Sequence, residues 1–315
     1  MLAVRCCRSK RPSRRSEGEL AGISIAVSRP HRTAWFIVIT LVILLGGFSM
    51  YRAFFSRAAA SQRAVAKPSS QVASQPPSAR LCGQAGWPEA NVDGGAYIVQ
   101  NDEWNSTAPE CITTDGRHPQ FTVANSSIYE PASGDPGGYP SIFSGCSAGV
   151  CTVGNKMPIR VSDLRPGMVT SSWTTTQPPS GAYDVAYDIW FNHTPVTSGP
   201  PDGGELMIWL AHHGGSQIAP AGAPVAHVTI GGYAYTIWLY SGHPGSGPSY
   251  DRIAYVMDRA IRSVQDLDIS AIAADAARRG YLAGPSYLLN VQAGFEIWQG
   301  GGGLETKSFA INVGS

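Results

Sequence analysis

The chain is built from short runs in which large apolar residues alternate with small or polar ones, and three of these runs carry acids beside tryptophan. Period-two alternation is a strand signal, because successive side chains of a strand point to opposite faces of its sheet. In Gly204-Glu205-Leu206-Met207-Ile208-Trp209-Leu210, Glu205, Met207 and Trp209 share one face and Leu206, Ile208 and Leu210 the other. Gly294-Phe295-Glu296-Ile297-Trp298-Gln299-Gly300 repeats the design, with Glu296 and Trp298 opposite Phe295 and Ile297. Along 183–191, Asp184, Ala186, Asp188 and Trp190 lie opposite Val185, Tyr187, Ile189 and Phe191. A carboxylate in so apolar a strand is costly unless it faces a solvated groove or a partner. Half-exposed antiparallel strands also turn acids outward. Three such runs with flanking tryptophans point instead to a sugar-binding cleft, with Glu205, Glu296 and Asp188 as its acids.

Further alternating runs at 96–99, 120–123, 225–230, 233–240, 288–299 and 308–313 are separated by Gly, Pro, Asn and Ser clusters. Gly231-Gly232 between two of them signals a short hairpin. One helix is predicted over Asp268–Gly280: Asp268 is the N-cap, apolar residues recur at i, i+3, i+4 and i+7, Arg278 and Arg279 occupy the last turn, and Gly280 closes it. Many strands with one short helix predict an all-β fold, a jelly-roll sandwich of two antiparallel sheets with a concave groove. No internal repeat is present, and Gly300–Gly303 opens no helix that would make it a phosphate loop.

Composition divides the 315 residues into a basic tail (1–33), an apolar segment (34–51), an Ala/Ser/Gln/Pro-rich linker (52–80) and a domain (81–315). Residues 1–32 hold eight arginines and lysines against Glu17 and Glu19. Positive charge before an apolar run leaves the tail in the cytoplasm and sends the rest outward. The run from Ala34 to Phe48 lies between a signal-peptide core and the roughly 20 residues that span a bilayer. Cleavage, with Ala58-Ala59-Ala60 as a small-residue site, and retention as a membrane anchor both stay open, so the domain is expected to be secreted or membrane-anchored outside the cytoplasm. Arg14-Arg15 lies too far upstream for a twin-arginine signal. The tail reads as a topology signal, with no nucleic acid as partner, and the domain is expected to be a monomer.

Cys6 and Cys7 precede the apolar run, whereas Cys82, Cys111, Cys146 and Cys151 follow it, an even number suited to two disulfides in an oxidising compartment. Three connectivities are possible. The short Ser147-Ala148-Gly149-Val150 loop favours Cys146 with Cys151, which leaves Cys82 with Cys111. No CxxC pair or His-rich spacing supports a metal site, and no cofactor is expected.

At these motifs the chain resembles glycoside hydrolase family 12, the small retaining endoglucanases with a β-jelly roll, over nearly all of 81–315. The carrying pieces are Glu205–Leu210, Ala293–Gly301, Asp184–Asp188 and Asn101-Asp102-Glu103-Trp104-Asn105 followed by Cys111. The resemblance implies an exported endo-β-1,4-glucanase acting on a β-glucan polysaccharide, with Glu205 as nucleophile, Glu296 as general acid/base and Asp188 supporting the nucleophile. It implies that Asn101, Trp104, Met207, Trp209 and Trp298 bind substrate. Retention asks for two carboxyls about 5–5.5 Å apart, which two glutamates facing the same way on neighbouring strands would supply. The loop Ala211-His212-His213-Gly214-Gly215 and the following Ile218-Ala219-Pro220 depart from the family pattern, which bears on subsite preference. Competing readings are a xyloglucan or mixed-linkage glucan hydrolase, a β-glucan-binding jelly roll without turnover, and a structural wall protein tethered to the membrane.

Overall fold

The computed structural model describes residues 78–84, 88–241, 251–282 and 284–314. The basic tail, the apolar segment, nearly all of the linker, Cys6 and Cys7 lie outside the described residues. Among the described residues no helix is long and apolar enough to cross a membrane.

The chain lays down strands β1 (Ala79–Cys82), β2 (Glu89–Val92), β3 (Tyr97–Gln100), β4 (Glu110–Thr114), β5 (Phe121–Ser126) and β6 (Ser141–Ser147). It continues with β7 (Val150–Cys151), β8 (Ile159–Arg160), β9 (Val169–Thr176), β10 (Ala182–Asn192), β11 (Gly204–His213) and β12 (Ala223–Ile230). Then follow β13 (Tyr233–Tyr240), β14 (Arg252–Met257), β15 (Ser263–Asp268), helix α1 (Ile269–Arg278), β16 (Tyr287–Gly294), β17 (Ile297–Gln299) and β18 (Glu305–Val313). The smaller sheet runs β1-β4-β5-β18-β9-β15 and the larger β12-β13-β14-β11-β10-β16-β6-β3-β2. The pairing is antiparallel throughout these ladders except between β11 and β14, which run parallel. The fold is the expected two-sheet jelly roll with one α-helix.

Alternation decides which face of the larger sheet is which. Val185, Tyr187, Ile189, Phe191, Leu206, Ile208, Leu210, Phe295 and Ile297 enter the core between the sheets, where they meet Phe121, Trp173 and Phe309 of the smaller sheet. Met207, Trp209, Ala254 and Trp298 form a second apolar cluster on the opposite, concave face. Helix α1 covers one end of the core with Ile269, Ile272, Ala273 and Ala276. Asp268 caps it, its side chain accepting from the Ala271 N–H at 2.9 Å. Gly231 and Gly232, at φ 59° and 84°, make the tight turn that pairs Ile230 with Tyr233, a left-handed conformation that costs glycine nothing.

Disulfides join Cys82 to Cys111 across β1–β4 and Cys146 to Cys151 across the β6–β7 hairpin. Strand β1 starts at Ala79, two residues inside the stretch read as linker, because Ala79 and Arg80 pair with Thr114 and Thr113. Composition placed the boundary late, since nothing in Ser78-Ala79-Arg80 distinguishes a short edge strand from a polar linker.

Candidate active site

The concave face of the larger sheet is the floor of a groove of about 1140 Å³. Register sets its contents row by row. Strand β10 pairs Asp188 with Met207 of β11 and with Gln292 of β16, and sets Trp190 opposite Glu205. Strand β14, on the far side of β11, sets Arg252 opposite Glu205. Glu205, Asp188 and Glu296 all line this groove. The glutamates are not on neighbouring strands, however: β10, which carries Asp188, runs between β11 and the segment of Glu296.

Glu205 sits inside a regular strand and is 6 % exposed. Its Oε2 lies 3.1 Å from Arg252 Nε. Burial pushes its carboxyl up to about 7; the Arg252 charge pulls it down and Glu296 pushes it up. Asp188 is raised well above the usual carboxylate range, first by burial and then by repulsion from Glu205 and Glu296, with Arg252 opposing. Packing several acids into one dry groove disfavours more than one negative charge there.

Glu296 is held differently. It falls in the break between β16 and β17, where the ladder to β10 is interrupted and main-chain bonds to two elements replace it. The Glu296 N–H donates to Asp184 Oδ1 at 3.0 Å, and the Asp184 N–H donates to the Glu296 carbonyl at 3.0 Å. Ile297 N–H donates to Gly138 O, and Gly137 N–H to Ile297 O. Gly294 is needed for this approach, since a Cβ there would stand 2.5 Å from the Pro140 carbonyl. Burial raises the Glu296 carboxyl, Asp184 and Arg252 oppose this, and Asp135 adds to it. Asp184, fully buried, is raised well above the carboxylate range by burial and by Glu296, so it holds a proton that the Glu296 carboxylate can share. One acid beside a cation and another among acids is the asymmetry that lets two carboxyls play opposite parts.

Of the expected contacts, Trp104, 42 % exposed, lies on the groove wall with Met207, Trp209 and Trp298 on its floor. The Trp298 indole N–H donates to Gly134 O at 2.7 Å, and Trp209 is almost wholly buried. Asn101 is a correction. It is buried and donates to the Gly83 carbonyl at 3.3 Å, while Gln100, Asp102 and Trp104 line the groove. The stretch alternates, and Asn101 has the wrong phase. His212 and His213 are not groove residues; His213 donates to Gly181 O at 2.7 Å and stacks on Tyr183. Arg252, Asp135 and Trp238 line the groove without having been singled out from the sequence. Arg252 was the most accessible of these, as it heads an alternating run, but its partner is fixed by a parallel pairing that local pattern does not encode.

A family model for glycosyl hydrolase family 12 matches residues 95–314. The probable cellulase Cel12b of Mycobacterium tuberculosis is 32% identical over 164 residues, 51% of this chain and 99% of that protein. Xyloglucan-specific endo-β-1,4-glucanase A of Emericella nidulans is 28% identical over 241 residues, 75% of this chain and 91% of that protein. Among solved structures, endoglucanase Cel12A from Rhodothermus marinus superposes with a TM-score of 0.67 at 34% identity, covering 74% of this chain and 98% of that one.

Proposed function

Because the chain belongs to glycosyl hydrolase family 12, we propose that it is an exported endo-β-1,4-glucanase in which Glu205 is the nucleophile, Glu296 the general acid/base and Asp188 the support of Glu205. A Glu205 oxygen attacks the anomeric carbon, the glycosidic C–O bond breaks, and the leaving oxygen takes the proton of Glu296. Water then gives its proton to Glu296 and attacks the same carbon, releasing Glu205 and a sugar of unchanged configuration. The observation that carries the reading is the sharing of one tryptophan-floored groove by Glu205, paired with a cation, and Glu296, surrounded by acids. Stacking of indole faces on glucosyl rings gives Trp104, Trp209 and Trp298 their place in binding.

Identity favours β-1,4-glucan over xyloglucan, since the endoglucanase structure stands at 34% and the xyloglucan-specific relative at 28%. The xyloglucan reading keeps some weight because that relative matches over more of the chain than the cellulase does. The segments ahead of residue 78 serve, in this reading, to export the domain and either leave it tethered or be cut away; the two disulfides fit a site outside the cytoplasm.

Reducing-sugar release from carboxymethylcellulose, barley β-glucan and xyloglucan tests the substrate, with the first two expected to be cleaved faster. NMR of the first-formed sugar is expected to show the β-anomer. Release of the α-anomer overturns the mechanism, and binding without any release turns the protein into a glucan-binding module.

A further inference from the structure

Among the described residues that line the groove, six are acids (Glu89, Asp102, Asp135, Asp188, Glu205 and Glu296) and one, Arg252, is a cation. Its placement is specific. Parallel pairing of β11 with β14 puts Arg252 directly opposite Glu205, and their side chains meet at 3.1 Å. The acid side of this pair is 7% exposed and the arginine side 39%, so water reaches the cation far more than the carboxylate. The Arg252 guanidinium also lies 6.0 Å from the centre of the Tyr240 ring, on the neighbouring strand β13. An arginine cannot lose its proton in a protein, so its charge is constant at every pH where a glycosidase works.

We infer that Arg252 is a positioning residue for the proposed reaction, holding Glu205 ionised and oriented in the free enzyme. The inference rests on the reading of Glu205 as nucleophile. Every other titratable group shown here to act on the catalytic acids pushes the other way. Asp188 faces Glu205 from β10, Glu296 from the β16–β17 break, Asp102 from the loop after β3, and Asp135 from the loop before β6; Asp184 stands against Glu296, and Tyr139 is buried beside Asp184 and Asp188. A second negative charge in such company is unfavourable, and without a cation the proton has no reason to prefer Glu296 to Glu205. Arg252 supplies that preference. Its influence also reaches Glu296, which it lowers more weakly than burial raises it. After Glu205 has become a neutral ester, the same cation faces the Glu296 carboxylate that has given its proton away.

The test is the pH dependence of kcat/KM for the full chain on an aryl β-cellobioside with a good leaving group, which makes the acidic limb report the nucleophile. In Arg252→Met the Glu205 carboxyl loses its opposing charge, so the acidic limb is expected to move up by about one pH unit. That corresponds to a roughly tenfold loss below the limb. Arg252→Lys is expected to bring most of the limb back. A purely structural role predicts something else: a lower plateau with both limbs where they were. That outcome overturns the inference. Should Arg252→Met fail to fold, Arg252→Gln removes the charge and keeps a hydrogen-bond donor, with the same shift expected and an unmoved limb equally fatal. Labelling of the wild-type chain with a 2-deoxy-2-fluoro-cellobioside separates the two levels. A label on another residue sinks the nucleophile reading whatever Arg252 does, while a label on Glu205 with an unmoved limb sinks only the role of Arg252.

Discussion

Two groups of buried carboxyls lie close together in this molecule, and only one of them is equipped for chemistry. In the groove, Glu205, Asp188, Glu296 and Asp184 are tied to Arg252, to main-chain N–H groups and to one another. Beside it, Asp102, Glu103 and Glu110 crowd around Gly138, where a Cβ would stand 3.0 Å from Glu103 Cα and 3.4 Å from Glu110 Oε1. Burial pushes Glu110 up to about 8 and Asp102 up to about 7, and the Ser126 hydroxyl is the one group that opposes the shift of Glu110. Glu103 and Glu110 do not line the groove. The comparison teaches that a perturbed acid marks a site only when it also has a cleft to act in and partners that separate its charge state from its neighbours'.

Removing the acids of the first group should affect turnover most. Glu205→Ala is expected to show no measurable glucan hydrolysis, and with azide and an activated glycoside to give a glycosyl azide of inverted configuration. Glu296→Ala is expected to lose roughly 10²–10⁴-fold on glucan. On an activated aryl glycoside it should still form the intermediate, stall in its breakdown, and yield the retained β-azide when azide is added. Glu110→Gln is the contrasting variant and should hydrolyse glucan at nearly the wild-type rate. A comparable loss in Glu110→Gln would erase the distinction between the groups.

Asp184 and Asp188 sharpen it within the groove. Both lie on the same face of β10, and from alternation alone Asp184 reads as a bystander against which Asp188 can be judged. The structure removes that status, because Asp184 receives the Glu296 N–H. Asp188→Asn is expected to lower kcat well below wild type with little change in KM, as a group acting on Glu205 during the reaction should. Asp184→Ala should instead move the basic limb of kcat/KM upward, since the hydrogen bond that favours the charged form of Glu296 is lost. Asp184→Asn, which keeps an acceptor and a donor, should leave that limb near its place. A limb that stays fixed in Asp184→Ala means that Glu296 is positioned without it.

Faces were legible in the sequence where the strand was regular. Glu205, Met207 and Trp209 follow a two-residue period to the groove, and Leu206, Ile208 and Leu210 follow it to the core. The helix was equally plain, because its cap, apolar stripe and closing glycine are all local. Neighbours were not legible. That β10 runs between the two glutamates, and that β14 joins β11 in parallel and delivers Arg252, depend on contacts across long stretches of chain. Asn101 shows the smaller failure: its stretch alternates, but Asp102 at φ 37° bends the chain there and the phase cannot be read without knowing where the strand stops. The trio around Gly138 gave no pattern at all, since Glu110 sits seven residues beyond Glu103.

That trio carries the smallest expected effect, and it falls on stability. A carboxyl whose native pKa is raised from 4.5 to about 8 keeps its proton in the folded chain while the unfolded chain has lost it. The folded state therefore binds more protons over that interval, and stability falls as pH rises from the unfolded value toward the folded one. Glu110→Gln cannot ionise and should escape its share of the fall. Its thermal midpoint is expected to match wild type at about pH 5 and to exceed it by a few degrees at about pH 9, given about 2–4 °C per kcal/mol for a domain of this size. Thermal scans of both proteins across that range read the difference directly. Parallel slopes would place the ionisation on Asp102 or Glu103 instead, and because Asp102 lines the groove and presses on Asp188, the second group would then be coupled to the first.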